Sequence, residues 1–252
     1  MTLVRDRMST PVVTVDAGAS VEEVVALLEA RAITALPVTR DHRVVGIVST
    51  TDIVGAMSRA GTAPASAEEL MTSSVISADP DELLDDAARK LVAARVHRLV
   101  VIEGERAVGI LTARDILAEV RRRRVTAPLR SIMTSPVETV DIEATVDETL
   151  VRLAAANVHG IVVMDGAMPV GVFTHAEALA ARSLPAAVRC GAVERVMSYE
   201  TICLDADTPI HRAAAYAESM NVRRLLVVER RELVGIASSV DFVGVLARAP
   251  EA

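Results

Sequence analysis

The sequence predicts a mixed α/β fold built from four copies of one β-α-β-β-α unit, each roughly 60 residues long. Two sequence markers with a common spacing, and one hydrophobic pattern between them, support this prediction. The first marker is a methionine followed by Ser or Thr, which we call the start segment. It occurs at Met8, Met71, Met133 and Met197, at intervals of 63, 62 and 64 residues.

The second marker has the pattern Gly-x-x-[Ser/Thr]-x-x-[Asp/Glu], which we call the tail motif. Its carboxylates are also separated by 63, 62 and 64 residues, so the two markers repeat in step. This agreement indicates an internal repeat, because chance would not give both markers one period. The four tail motifs comprise Gly46, Ser49 and Asp52; Gly109, Thr112 and Asp115; Gly171, Thr174 and Glu177; and Gly235, Ser238 and Asp241.

The first two elements of each unit follow the start segment. A short β-rich run comes first, as at 12–15 and 75–76, and an amphipathic helix follows, as at 21–28, where the apolar residues share one face. Capping boxes predict where two of these helices begin; they pair Ser20 with Glu23 and Thr145 with Glu148. In the second and fourth units Pro80 and Pro209 predict the first helical turn instead.

Two strands and a second helix complete the unit. In the second unit the strands are predicted at 99–102 and 107–111, and each final helix is predicted to begin at the Ser or Thr of the tail motif. Apolar runs without alternation indicate strands covered on both faces. A unit of this size has a thin core, so units should pair. We predict repeats at 1–60, 61–124, 125–185 and 186–252, with 1–124 and 125–252 as two modules.

Composition excludes several classes of protein. A net charge of −7 and an aromatic content of 2% are atypical of a general nucleic-acid-binding protein, which presents a basic face and stacking aromatics. The 51% apolar content predicts an aliphatic core. The one concentrated basic stretch, Arg121–Arg124, is interpreted as a solvated helix end or linker, with phosphate or nucleic-acid contact as the alternative.

Targeting and metal signals are also lacking in the sequence. No segment reaches the roughly 18–20 apolar residues that span a bilayer, and Arg5, Asp6 and Arg7 precede no apolar signal core. Cys190 and Cys203 have no paired-spacing motif, which indicates a reducing compartment. The sequence therefore predicts a cytoplasmic protein without a membrane contact. The histidines at 97, 159, 175 and 211 lack converging ligands, so no metal site is predicted.

The repeated motifs resemble the CBS domain family, and pairs of units resemble Bateman modules. The resemblance extends from about Val4 to Arg248 and rests on four tail motifs at a fixed distance from four start segments. It implies that two units pack through their sheets around a pseudo-two-fold axis with two clefts. Two modules would form a flat, pseudo-symmetric disc, within a monomer or as part of a homodimer. The repeat number resembles that of the nucleotide-sensing gamma subunit of AMP-activated protein kinase.

The resemblance also implies roles for the tail motif. In ligand-binding family members its carboxylate accepts hydrogen bonds from the ribose hydroxyls, and its Ser or Thr lies near the phosphate at a helix N-terminus. This implies ribose contacts by Asp115, Asp241, Asp52 and Glu177, and phosphate contacts by Ser49, Thr112, Thr174 and Ser238. Glu177 is one methylene longer, which puts its ribose contact in doubt. The alternative is that the motif is only a capping box, since Ser/Thr-x-x-Asp/Glu opens a helix.

A second constellation lies at the start of the second strand. The four units have Thr34-Ala35, His97-Arg98, His159-Gly160 and Arg223-Arg224 there, and Arg114 precedes Asp115. The stretch 96–101 resembles the phosphate-contacting stretch of AMP-binding family members. We therefore predict phosphate contacts by His97, Arg98, Arg114, Arg223, Arg224 and His159. The alternative is charge that protects a strand edge.

Together these features predict a regulatory protein that binds AMP, ADP or ATP. No catalytic residue and no catalytic cofactor are predicted, because no nucleophile, Walker loop or metalloprotease helix is present. The nucleotide would alter the surface offered to a regulated protein. The alternatives are an interaction scaffold with empty clefts and a sensor of S-adenosylmethionine, which shares the adenosine but lacks the phosphates.

Overall fold

The computed structural model of the chain describes residues 1–57, 64–156, 158, 160–181 and 184–248. These residues form four three-stranded sheets, each with a parallel first pair and an antiparallel second pair. The mixed α/β class and the β-α-β-β-α order predicted from the sequence are confirmed. The parallel pair is joined by the amphipathic helix, since parallel neighbours need a crossover.

Each repeat contributes one sheet and two principal helices. Repeat 1 contains β1 (Val15–Asp16), α1 (Val21–Ala30), β2 (Ala35–Arg40), β3 (Arg43–Ser49) and α2 (Thr50–Met57). Repeat 2 contains α3 (Ala67–Leu70), β4 (Ser77–Ala78), α4 (Leu84–Ala94), β5 (Arg98–Glu103), β6 (Arg106–Thr112) and α5 (Leu117–Arg122). Repeat 3 contains β7 (Thr139–Asp141), α6 (Val146–Ala156), β8 (Gly160–Asp165), β9 (Met168–Thr174) and α7 (His175–Ala181). Repeat 4 contains α8 (Ala186–Arg189), β10 (Cys203–Asp205), α9 (Ile210–Ser219), β11 (Arg224–Glu229), β12 (Glu232–Ser238) and α10 (Ser239–Ala247).

The chain divides into two compact halves, which we call unit 1 and unit 2. Each of them contains two of the β-α-β-β-α repeats. Unit 1 consists of Met1–Val12, Ile76–Val137 and Glu200–Ala252, and unit 2 of Val13–Val75 and Glu138–Tyr199. Unit 1 therefore holds the sheets of repeats 2 and 4, and unit 2 holds those of repeats 1 and 3. The grouping of 1–124 and 125–252 into two modules stays a prediction.

The two units are packed differently inside. In unit 1, α4 packs on α10 and α5 packs on α9, and one buried cluster runs through both repeats. In unit 2, α2 packs on α7, and the described residues form two clusters, one for each repeat. Each of these clusters includes one side chain from the other repeat. Leu179 of α7 belongs to the cluster of repeat 1, and Val54 of α2 belongs to that of repeat 3. Aliphatic side chains dominate the core, and both phenylalanines are also buried.

Each start segment packs on the sheet of the neighbouring repeat. Ser9 pairs with Ile110 of β6, and Thr72 pairs with Ile47 of β3, so repeats 1 and 2 exchange their start segments. Repeats 3 and 4 do the same, through Thr134 with Ile236 and Ser198 with Val172. The methionines fit against the tail glycines: a Cβ atom on Gly109 would lie 2.6 Å from the sulfur of Met8. The two sequence markers therefore meet in the structure, where each start methionine packs against the tail glycine of another repeat.

Two sequence-based boundaries are wrong. The first strands were predicted at 12–15 and 75–76, but β1 and β4 begin at Val15 and Ser77. The preceding residues leave the sheet because the start segment crosses to another repeat. The capping boxes at Ser20 and Thr145 are confirmed, with Glu23 and Glu148 closing them.

The two prolines that were predicted at helix starts have different positions in the structure. Pro209 immediately precedes α9, as predicted, whereas Pro80 lies in a turn that ends before α4 begins at Leu84. The carbonyl of Pro80 accepts a hydrogen bond from the backbone N–H of Arg5. Arg5 lies in the short 3-10 helix Val4–Asp6, which together with its flanking residues we call the N-terminal turn, and Pro80 is one of the residues on which this turn docks.

Candidate functional site

The tail motif has the same geometry in all four repeats. The backbone N–H and the hydroxyl of the Ser or Thr both donate to one oxygen of the carboxylate three residues later. In repeat 2 the two bonds from Thr112 to Oδ2 of Asp115 are both 2.7 Å, and in repeat 4 those from Ser238 to Asp241 have the same length. The corresponding bonds link Ser49 to Asp52 and Thr174 to Glu177. The second oxygen of each carboxylate lies outside this pair of bonds.

Repeat 2 departs from the predicted helix start. Helices α2, α7 and α10 begin directly after the Ser or Thr of their tail motifs, but α5 begins at Leu117. Residues 113–116 form turns, and the N–H of Asp115 bonds to the carbonyl of Thr112. The prediction that this tail motif opens an α-helix is therefore wrong. The carboxylate of Asp115 closes a turn, so capping of α5 does not account for its position.

The residue at the start of the second strand lies directly across from the tail motif. The antiparallel register pairs Ala35 with Ser49, Arg98 with Thr112, Gly160 with Thr174, and Arg224 with Ser238. A backbone bond fixes the preceding residue as well: the N–H of Ala113 donates to the carbonyl of His97, and that of Ser239 to the carbonyl of Arg223. The register thus brings the two sequence constellations together in repeats 1, 2 and 4, and in repeat 3 it pairs Gly160 with the tail motif.

Burial shapes the electrostatics at two of the four carboxylates. It raises the pKa of Asp115 above the ordinary value of 3.8, although the bonds from Thr112 and the nearby Arg114 oppose the shift. Burial raises the pKa of Asp241 in the same way, against the bonds from Ser238. A carboxylate that is partly desolvated gains more from new hydrogen-bond donors than an exposed one. Both groups lie in unit 1.

The predicted phosphate contacts have different surroundings. Arg114 donates a 2.7 Å hydrogen bond to the carbonyl of Asn221, which ties the tail of repeat 2 to repeat 4 two residues before Arg223. His97, Arg98 and Arg224 are half-buried, and Arg223 is exposed. His159, the predicted contact of repeat 3, lies outside the described residues.

The arginine run is more than a solvated helix end. Glu119 is fully buried, and it binds Arg122 through two hydrogen bonds of 2.6 and 2.9 Å and Arg123 through one of 3.1 Å. Arg122, followed by Arg123, holds the pKa of Glu119 at about 2, below the ordinary 4.5. Glu119 was not predicted from the sequence. The signal was available, because Glu119 stands four residues after Asp115, where the other repeats have Ala56, Ala181 and Val245.

No helix within the described ranges is long and apolar enough to cross a membrane. In the same part of the chain no three His, Cys, Asp or Glu side chains come together as metal ligands would. The exposed cysteines, Cys190 and Cys203, are unpaired thiols.

Comparison with known proteins places this geometry in a family. The model of the CBS domain matches four stretches of the chain, 4–59, 67–122, 129–183 and 193–248. A protein of Thermofilum pendens encoded in a ribosomal RNA operon is 30% identical over 171 residues, which are 62% of this chain and 57% of that protein. The L-aspartate semialdehyde sulfurtransferase of Methanocaldococcus jannaschii is 34% identical over 118 residues, which are 46% of this chain and only 23% of the enzyme.

Two solved structures share the fold over almost the whole chain. One is a Methanocaldococcus jannaschii protein proposed as an archaeal homologue of the AMP-activated protein kinase gamma subunit. It superposes with a TM-score of 0.87 at 15% identity and covers 98% of this chain and 100% of its own. The other, from Pyrococcus horikoshii, gives a TM-score of 0.70 at 20% identity and covers 97% of this chain and 100% of its own. At these identities the likeness concerns the fold.

Proposed function

The chain belongs to the CBS domain family, and from this premise we propose that it is a regulatory protein that binds AMP, ADP or ATP without catalysing a reaction. CBS-pair proteins bind adenine nucleotides or S-adenosylmethionine and act as regulators. The enzyme named among the relatives shares only 23% of its length with this chain, so its activity does not transfer.

One observation carries the nucleotide proposal. Arg98 is the cross-strand partner of Thr112, and Arg224 is that of Ser238, so in both repeats the chain segment that carries the cation is paired with the segment that carries the tail motif. A phosphate needs cations and N–H or O–H donors, and a ribose diol needs an acceptor with a spare oxygen. In repeats 2 and 4 the arginine would supply the cation, and the carboxylate oxygen outside the two tail bonds would supply the acceptor. S-adenosylmethionine lacks the phosphate that would use the arginines.

The site residues follow from this arrangement. Asp115 and Asp241 would bind the ribose, followed by Asp52 and then Glu177. Thr112 and Ser238, with Ser49 and Thr174, would lie near the phosphate. The cations would come from the residues that precede and begin β5 and β11, with Arg114 added; these are His97, Arg98, Arg114, Arg223 and Arg224. His159, which lies outside the described residues, stays a predicted phosphate contact of repeat 3.

The competing proposal is a scaffold whose sites stay empty, and a specific feature favours it. Every Ser or Thr hydroxyl of the tail motifs already donates to its own carboxylate, at 2.5–2.7 Å. A motif satisfied in this way stabilises the chain without any ligand. The two proposals differ in the basic pairs, because a purely structural motif does not need them.

Calorimetry and thermal melting with AMP, ADP, ATP, adenosine and S-adenosylmethionine test the proposal. Ligand at a hundred times its Kd should add about 2.7 kcal/mol of stability for each site. No heat and no rise in Tm at millimolar ligand would leave the scaffold as the function.

The basic pair provides the sharper test. The variant His97→Ala/Arg98→Ala should weaken AMP at least tenfold and adenosine by less than about twofold, because only the phosphate uses these cations. The variant Arg106→Ala/Arg195→Ala, which removes two exposed arginines from other surfaces, is the control and should bind both ligands normally. Equal loss of both ligands would mean that the pair supports the fold and not the phosphate.

A further inference from the structure

Unit 1 contains a second basic feature, distant in sequence from the tail motifs. A cavity of about 440 Å³ is lined by Arg7, Ala118, Arg121, Arg122, Arg124 and Glu218. We call it the arginine pocket. It joins three parts of unit 1: the N-terminal turn, the end of α5 and the end of α9. Arginine is the residue best suited to bidentate contact with phosphate.

The walls of the pocket are held in place by ion pairs on either side. Buried Glu119 fixes Arg122, and Glu218 of α9 contacts Arg121, with 3.0 Å between Oε2 and Nε. The N-terminal turn is fixed too, because the hydroxyl of Thr2 donates to Glu119 and the N–H of Val4 bonds to the carbonyl of Glu82. Carboxylates therefore fix Arg121 and Arg122, and the bonds of Thr2 and Val4 fix the segment that carries Arg7.

Two of the four arginines have no carboxylate partner in the described part of the chain. These are Arg7 and Arg124, and the Nε of Arg7 is in addition buried without any hydrogen-bond partner. A buried donor without a partner is costly, so such a group points to an occupant that accepts a hydrogen bond. Because Arg121 and Arg122 are already paired with Glu218 and Glu119, the unpaired positive charge of the pocket comes from Arg7 and Arg124. These two charges outweigh the partial negative charge at the end of α5.

The chemistry of the lining defines the occupant. The only apolar lining residue is Ala118, and no aromatic side chain is present to stack on a base. Recognition must therefore come from charge and hydrogen bonds. We propose that the arginine pocket binds a diphosphate group, either as inorganic diphosphate or as the polyphosphate end of a nucleotide. Such an occupant would link the N-terminal turn to repeats 2 and 4.

The test is calorimetry of the full chain with inorganic diphosphate. The variant Arg7→Gln/Arg124→Gln removes the two arginines that have no carboxylate partner and should lower the affinity at least tenfold. The variant Arg106→Gln/Arg195→Gln changes the net charge equally elsewhere and should stay within twofold of the unsubstituted chain. Without ligand, neither variant should have a lower Tm than the unsubstituted chain, which shows that the fold is intact.

Two further arms separate this pocket from the tail motifs and identify the source of the diphosphate. The variant His97→Ala/Arg98→Ala should keep its diphosphate affinity, and Arg7→Gln/Arg124→Gln should keep its AMP affinity. A parallel loss of ATP affinity in the pocket variant assigns the pocket to the nucleotide, and unchanged ATP binding assigns it to free diphosphate. The proposal is overturned if diphosphate does not bind, or if it binds the pocket variant as well as the unsubstituted chain.

Discussion

The two compact units carry the same tail motif but differ in what surrounds it. In unit 1, Arg98 and Arg224 lie across from the motif, and burial raises the pKa of Asp115 and Asp241. In unit 2, the same positions hold Ala35 and Gly160. The arginine pocket also lies in unit 1. The backbone scaffold is thus repeated four times, whereas the positive charge that suits phosphate is concentrated in one unit.

The hydrophobic cores of the two units also differ. One continuous cluster joins repeats 2 and 4, whereas repeats 1 and 3 keep separate clusters that exchange Val54 and Leu179. A ligand in unit 1 would therefore act on a body whose two repeats share a core. Unit 1 therefore combines the tail motif with arginines and a continuous core, whereas unit 2 has the motif without either.

The largest effect is expected at Glu119, which unit 2 lacks. Glu119→Gln removes a buried carboxylate from two arginines and should lower the free energy of unfolding by about 3 kcal/mol. Because the folded pKa is depressed to about 2, this contribution is complete above pH 4.5 and disappears as the pH falls toward 2. Urea unfolding of the unsubstituted chain and of Glu119→Gln between pH 7 and 2 measures this contribution.

The control for Glu119 is Glu148→Gln in unit 2. Glu148 is an exposed carboxylate that closes a capping box with Thr145. Glu148→Gln should lower the free energy of unfolding clearly less than Glu119→Gln does. An equal loss in the two variants would show that the buried ion pairs of unit 1 do not distinguish the units.

The next effect concerns the ribose carboxylate. Asp115→Asn exchanges a charged acceptor for an amide, and charge-assisted bonds of this kind contribute roughly 1.5–3 kcal/mol, so affinity at that site should fall about tenfold or more. Asp52→Asn is the matched change in unit 2, and it should affect AMP binding less because no arginine lies across from Ser49. Calorimetry with AMP decides between them. A severe loss of Tm in Asp115→Asn, with binding intact, would identify the carboxylate as structural.

A weaker signature lies in the pH dependence of adenosine binding. Burial raises the pKa of Asp115 and Asp241, and ribose donors favour the charged form, so binding should release protons. Affinity should therefore be full above the raised pKa values and fall below them, by no more than about tenfold per pH unit. Adenosine is used because the phosphate of AMP titrates itself. Adenosine affinity of the variant Asp115→Asn/Asp241→Asn should not depend on pH in this range. A pH dependence that persists in this variant would come from other titrating groups.

The smallest effect tests the scaffold that the two units share. Gly104 and Gly166 occupy equivalent hairpin turns with φ of +62° and +58°, and a Cβ atom on either would meet open space. Only backbone strain then remains, so Gly104→Ala and Gly166→Ala should each cost about 1 kcal/mol. Thermal melting should show a similar decrease of Tm in the two variants. Unequal losses would mean that the scaffolds of the two units are not equivalent.

The repeat pattern predicted the order of elements well, because period, apolar runs and capping boxes are local signals. The strands at 99–102 and 107–111 were found within a residue of β5 and β6. Errors arose where distant segments determine the local structure. The first strands were placed too early because the exchange of start segments is a contact between repeats, and α5 begins late, after the turn that follows Thr112.

The candidate site was only partly visible for the same reason. The tail motif and the basic pairs could be read separately, but only the register shows that Arg98 faces Thr112. The arginine pocket was not visible, because Arg7 and Glu218 are separated in sequence from Arg124 and meet only through packing. Glu119 appeared in the sequence as one more charge beside a charged run, although its side chain is fully buried.

The exchange of start segments has a consequence for how the chain is made. Strand β3 ends at Ser49, yet its Ile47 pairs with Thr72, which the ribosome adds only after the first repeat is finished. The N-terminal turn waits still longer, since Ser9 pairs with Ile110 near the end of the second repeat. Each repeat contains all three strands of its own sheet, but the start segment that pairs with this sheet comes from another repeat. The contacts between start segments and sheets in repeats 1 and 2 can therefore form only after both repeats have been synthesised.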